Sequence, residues 1–151
     1  MADSTRSQIV DGVLSALTVV SGLWVSETLQ HWEETPKSHY PIAAYVTDHD
    51  ENWTPFELFG GDAHSDVKAT LFFTVSCYCY RSDNNGSVLR RLRTDLIRDI
   101  GEALEGGTTL MSLVLDMRPL RVVSDRGVIK NYSIFDYEFE VDYLYAHATG
   151  G

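Results

Sequence analysis

The stretch from Val128 to about Tyr145 constrains this chain more than any other. Phe135, Tyr137, Phe139, Val141, Tyr143 and Tyr145 alternate with Asp136, Glu138, Glu140 and Asp142. A β-strand sends successive side chains to opposite faces, so strict alternation predicts a strand with one aromatic face and one acidic face. At a rise of ~3.3 Å per residue, neighbouring carboxylates stand roughly 6.5–7 Å apart. Such a ladder repels itself unless water, cations or basic side chains face it. The predicted strand is far longer than the usual five or six residues.

Other strands are legible. Residues 67–80 alternate in the same way. Val67, Ala69, Leu71, Phe73, Val75, Cys77 and Cys79 share one face, and Lys68, Thr70, Phe72, Thr74, Ser76, Tyr78 and Tyr80 share the other. Residues 112–123, a turn at Ser124–Gly127 and the returning strand from Val128 read as a C-terminal β-hairpin. A short strand is predicted at 41–47, with Pro41 as its first residue. Two stretches have helical periodicity. In 5–21, Ile9, Val10, Val13, Leu14, Leu17 and Val20 form one apolar stripe, with Ser4, Thr5 and Ser7 as candidate caps and Gly22 at the end. In 88–105 the stripe is Leu89, Leu92, Leu96, Ile100 and Ala103 or Leu104, with Ser87 as the expected cap and Gly106-Gly107 as the stop. The fold class that follows is α+β, or α/β in the broad sense: a mostly antiparallel sheet of long strands, with two amphipathic helices packed on it. With 151 residues the chain is read as a single domain, too short for two full cores.

Between the short strand and the long one, residues 48–66 read as an insertion loop. It carries Asp48, Asp50, Glu51, Glu57, Asp62 and Asp66 with no Lys or Arg. It also carries Trp53, Phe56, Leu58 and Phe59. A solvated loop does not need such side chains, so they either fold back on the domain or contact another subunit. The tail from His147 to Gly151 is expected to be loose.

The net charge of −10 disfavours a grip on nucleic-acid phosphates or anionic lipid. No apolar run reaches the ~18 residues that a membrane span needs. The first twenty residues follow the charged-then-apolar order of a signal peptide, but Asp3 and Asp11 flank the run and Arg6 is its one basic residue. They are read as a helix of the mature protein. Cys77 and Cys79 fall on one strand face as buried free thiols, which suits a reducing compartment. The five histidines show no ligand spacing, so no metal and no cofactor are expected. No nucleophile–base set, phosphate loop or zinc-protease motif is present, and a non-enzyme is expected. Arg90, Arg91, Arg93 and Arg98 fall in one helix with Asp95, Asp99, Glu102 and Glu105, which reads as a salt-bridged face with no net charge. The ladder Asp136, Glu138, Glu140 and Asp142 lies on a straight strand. That geometry spreads its oxygens too far for one cation and does not set an acid against a base. Arg118, Arg121, Arg126, Lys130 and Lys68 are its candidate partners.

The order of elements resembles the tail terminator, or tail completion, proteins of long-tailed bacteriophages. The resemblance rests on the N-terminal helix ending near Val20 and on the opening Tyr40-Pro41-Ile42-Ala43-Ala44-Tyr45-Val46. It rests further on the Leu71–Tyr80 strand followed by Leu89, Leu92 and Leu96, and on the closing run Tyr132, Asp136-Tyr137-Glu138-Phe139 and Tyr143. It covers nearly the whole chain, although the 48–66 connection is longer than the pattern requires. It implies a virion protein made in the host cytoplasm and placed at the tail–head junction. Such a protein caps the tail tube as a homo-oligomeric ring, expected to be hexameric. Its partners would be itself, the tail tube protein and a neck or head-completion protein, with DNA passing through the lumen. In that setting Asp136, Glu138, Glu140 and Asp142 are candidates for the lumen wall or an interface, and Trp53, Phe56, Leu58 and Phe59 for an intersubunit loop. The competing readings are another neck or head-completion subunit and a small-molecule-binding α/β module.

Overall fold

The computed structural model describes residues 4–55 and 66–146. Five strands form one sheet: β1 (Leu23–Ser26), β2 (Ile42–Pro55), β3 (Asp66–Tyr80), β4 (Asp116–Ser124) and β5 (Tyr132–Ala146). Their order is β1-β2-β3-β5-β4. Only β1 and β2 run parallel, and the other pairs are antiparallel. Three helices accompany the sheet: α1 (Thr5–Leu17), α2 (Gly86–Gly106) and the short α3 (Thr108–Leu113). The mixed, mostly antiparallel α+β architecture is the one the alternating runs predict.

The core lies between the sheet and the helices. Ile9, Val13 and Leu17 of α1, Leu96, Ile100 and Leu104 of α2 and Leu110 of α3 are almost fully buried. They meet Leu71, Phe73, Val75, Cys77, Phe135, Phe139, Val141 and Tyr143 from the facing strands. Phe73 and Phe139 stack across β3 and β5 at 4.9 Å. The helices approach closely because glycine stands at the crossing. A Cβ on Gly12 would lie 3.3 Å from the Leu110 Cα, and one on Gly107 would lie 3.0 Å from the Ala16 Cβ.

Several boundaries differ from the sequence expectation. The segment 48–55 is not loop: it continues β2 across a bulge between Asp48 and Glu51. β3 is long enough to keep pairing with it, and that long-range partner overrides the polar composition of the segment. Phe56, Leu58 and Phe59 lie outside the described residues, as does 147–151. Ser87 does not cap α2. The Asn85 side chain accepts the N–H groups of Ser87 and Val88. Ser112 and Leu113, expected in the first hairpin strand, end the α3 helix instead, because Leu110 is drawn into the core against α1, and the strand starts at Asp116. The returning strand starts at Tyr132 rather than Val128. Arg126, Gly127 and Asn131 all adopt positive φ in the wide turn before it. Asn131 then ties this turn to the β3–α2 turn, donating from Nδ2 to the Arg81 and Ser82 carbonyls at 2.8 and 3.0 Å.

Candidate functional site

On the sheet face away from α1 and α2, the described residues cover one end. There the segment between β1 and β2 crosses it. The Tyr45 hydroxyl meets Thr35 Oγ1 at 2.8 Å and donates to Gln30 Oε1 at 3.1 Å, while Tyr78 donates to the Gln30 carbonyl at 2.6 Å. Lys37 closes this end, with its ammonium 3.8 Å above the Tyr80 ring and donating to the Tyr132 hydroxyl at 3.1 Å. That aromatic box had no signal in the sequence, since its members come from four separate elements or turns.

The rest of the face carries the acidic ladder. Alternation places Asp136, Glu138, Glu140 and Asp142 of β5 together, with β3 on one side and β4 on the other. Arg118 on β4 is the hub. Its Nε donates to Glu140 Oε1 at 2.8 Å, and Nη1 and Nη2 grip Asp142 at 2.9 and 3.0 Å. Nη1 also reaches Asp116 at 2.7 Å. Arg121 Nε donates to Glu138 Oε2 at 2.9 Å. From the β3 side, Thr70 Oγ1 donates to Asp142 Oδ1 at 2.6 Å and Lys68 Nζ lies 3.9 Å from Asp142 Oδ2.

A local irregularity makes this possible. Positions 118 and 121 are an odd number apart, so a regular strand would aim their side chains at opposite faces. The pairing shifts between Pro119 and Arg121, so Arg118 stands opposite Glu140 and Arg121 opposite Glu138. A bulge inserts one unpaired residue and restores the shared face. Arg126 and Lys130, also candidates by sequence, lie beyond the ladder in the β4–β5 turn.

The electrostatics divide the ladder in two. Burial alone would push the Asp142 carboxyl up, but hydrogen bonds from Arg118 and Thr70 outweigh it and hold the group below the usual range. Asp136 moves the other way. Burial raises it, aided by the neighbouring Glu138 charge and opposed by a Ser76 hydrogen bond. Its partners across the two ladders are Ser76 and Val123, and among the described residues no cation pairs with it. The ladder is thus a set of arginine-paired carboxylates with one member held by a hydroxyl and no described cation. Among the described residues, no three His, Cys, Asp or Glu side chains are grouped to hold a metal ion.

Elsewhere, Trp53 is 62% exposed on β2, with its indole N–H donating to Glu51 Oε2 at 2.7 Å. Cys77 and Cys79 are buried on the core face. Burial raises the Cys77 thiol well above its ordinary value and the Cys79 thiol to about 12. Among the described residues, the outer strand β4 pairs with β5 alone and exposes Leu120, Val122 and Val123. No described helix is long and apolar enough to cross a membrane.

No family model matches the chain, and no curated protein matches it. Among solved structures, it is similar to a chain from the virion of a native gene transfer agent particle. That chain is 14% identical, 94% of this chain and 92% of that one are covered, and the TM-score is 0.40. A likeness of that size carries no argument about role.

Proposed function

We propose that this chain is a structural, non-enzymatic subunit of a phage-like virion. It caps the tail tube as a homo-oligomeric ring, expected to be hexameric, at the tail–head junction. The observation that carries self-assembly is β4. It is a nine-residue outer strand with Leu120, Val122 and Val123 exposed at 46, 39 and 44%. An outer strand is a template for pairing with another chain; Pro119, the bulge and the charges of Arg118 and Arg121 blunt the first part of this one, and Val122 and Val123 beyond the bulge leave the last part open. The pattern of elements shared with tail terminator proteins supports the more specific station. The source of the gene transfer agent chain agrees with this reading, which does not rest on it.

In this reading the ladder face is the lumen wall. Asp116, Asp136, Glu138, Glu140 and Asp142 stand there against Arg118, Arg121 and Lys68, so the face keeps a negative excess. A modest excess would let DNA slide without sticking. The tail tube protein and a neck or head-completion protein are the other partners.

The test is mass measurement and negative-stain imaging of the purified protein, alone and with tail tubes, followed by labelling of its position in the particle. A ring at the tube end is expected. A monomer both free and in particles overturns the proposal, and a label on the head side moves the protein to a head-completion role.

A further inference from the structure

Helix α2 carries its charges against its own dipole. A helix favours acidic side chains near its N-terminus and basic ones near its C-terminus. Here Arg90, Arg91 and Arg93 fall in the N-terminal half with Asp95, and Asp99, Glu102 and Glu105 fall in the C-terminal half with Arg98. The first turn has no acidic residue and the last turn no basic one. Helix stability does not account for that order.

The basic end has no acidic partner on the helix, and the acidic end is neutralised in part. Arg98 takes up Asp95 and Asp99. Among the described residues, Arg90, Arg91, Arg126, Lys130, Glu102 and Glu105 have no ion-pair partner within 4.0 Å. Arg90, Arg93 and Arg126 line a cleft of about 500 Å³ over Leu89, Ile129 and Tyr132. Arg93 is braced there by Ser133 Oγ at 3.2 Å. The nearby Asp125 turns Oδ1 to the Gly127 and Ile134 N–H groups rather than to an arginine. Val128 stands on the same turn, 81% exposed. At the opposite end of α2, Asp99 and Glu102 line a hollow of about 330 Å³ beside Val19, which is 73% exposed. Glu105 follows one turn on, where it and Glu102 border a second hollow that Arg98 and Arg121 also line. At a rise of ~1.5 Å per residue Arg90 stands ~18–22 Å along α2 from Glu102 and Glu105, so the two charged groups belong to separate parts of the surface.

We propose that the basic cleft of one copy receives the acidic end of α2 from a second copy, head to tail. Arg90 and Arg126 face Glu102 and Glu105, and Val128 packs on Val19. Head-to-tail contacts close into rings or run on as filaments. The proposal therefore names the polar contact of the ring put forward above, and it rests on that reading. The cleft opens at Ser124, the last residue of β4, so it continues the exposed edge. A second copy fits better than a free polyanion because the whole chain carries −10, which repels polyanions at long range while leaving this local attraction.

The experiment is light scattering after size exclusion on three full-length variants: Arg90→Glu with Arg126→Glu, Glu102→Arg with Glu105→Arg, and all four together. Circular dichroism checks that each folds. Each two-site variant alone is expected to lose the oligomer, with apparent affinity down on the order of 100-fold or more, because like charges then meet. Mixed one to one, the two variants present opposite charges at every contact and reassemble. The four-site variant reassembles alone. Oligomers that persist in both two-site variants, or mixtures that stay apart, overturn this contact while leaving the ring standing. Two-site variants that keep the oligomer but lose duplex-DNA binding assign the cleft to a polyanion instead. A wild-type protein that is monomeric with and without tail tubes removes both proposals.

Discussion

Arg118→Met tests the ladder most directly. The substitution keeps the aliphatic stem and removes a guanidinium that contacts three carboxylates: Glu140 at 2.8 Å, Asp142 at 2.9 and 3.0 Å, and Asp116 at 2.7 Å. Asp142 is 5% exposed, so its charge loses its main partner where water cannot replace it. Stripping one partner from a buried pair costs ~3–5 kcal/mol. The Arg118 side chain is 39% exposed, so solvent screens part of the interaction. The expected loss is therefore ~2–4 kcal/mol at pH 7 in urea unfolding, or about 5–15 °C in Tm for a chain of this size. The pH dependence adds a second constraint. In the native protein the Asp142 carboxyl sits below its ordinary 3.8, so it contributes stability above that value and loses it as pH falls through the lower folded value. Without Arg118 only Thr70 and Lys68 oppose burial, so the group rises and its contribution to stability at neutral pH falls. The deficit of the variant should therefore shrink between pH 7 and pH 3, and Asp142→Asn added to it should recover part of the loss. A deficit under ~1 kcal/mol at pH 7, or one equal at both pH values, would refute the view of Arg118 as the brace of the ladder.

Asp136→Asn should do the reverse of an ordinary charge deletion. Its carboxyl is raised above 3.8, so ionisation costs stability as pH rises through the folded value. The variant should gain ~0.5–1 kcal/mol at pH 7 and nothing below about pH 3, measured by the same unfolding curves. Asn85→Ala should cost ~1 kcal/mol by removing the side chain that caps α2, whereas Ser87→Ala should change little; thermal melts of the two separate these caps. Cys77 and Cys79 should react slowly with a thiol reagent in the folded protein and fully in denaturant; fast labelling of the native state would contradict their burial.

The period-2 runs at 67–80 and 132–145 and the period-3.6 stripes in α1 and α2 were readable because each reflects one local geometry with one buried face. The β1 strand was not readable. Leu23–Ser26 is four residues long and exists by pairing with Ile42–Tyr45. The 48–55 extension was hidden for the same reason, since its polar residues become strand only because Leu71 and its neighbours offer a partner edge. Trp53 fell within a segment read as loop and stands instead on a strand.

The sequence by itself determined that the four carboxylates share a face, because alternation is a property of one strand. It also supplied the arginines, without saying which would arrive. Only the tertiary structure decided that, through a bulge between Pro119 and Arg121 that puts two cations an odd number of residues apart onto one face. The register leaves Asp136 opposite Ser76 and Val123, and therefore without a cation among the described residues. Side-chain periodicity is written in neighbouring residues. Cross-strand register depends on turns and bulges far along the chain, so pairing, and the charge that survives it, belongs to the fold.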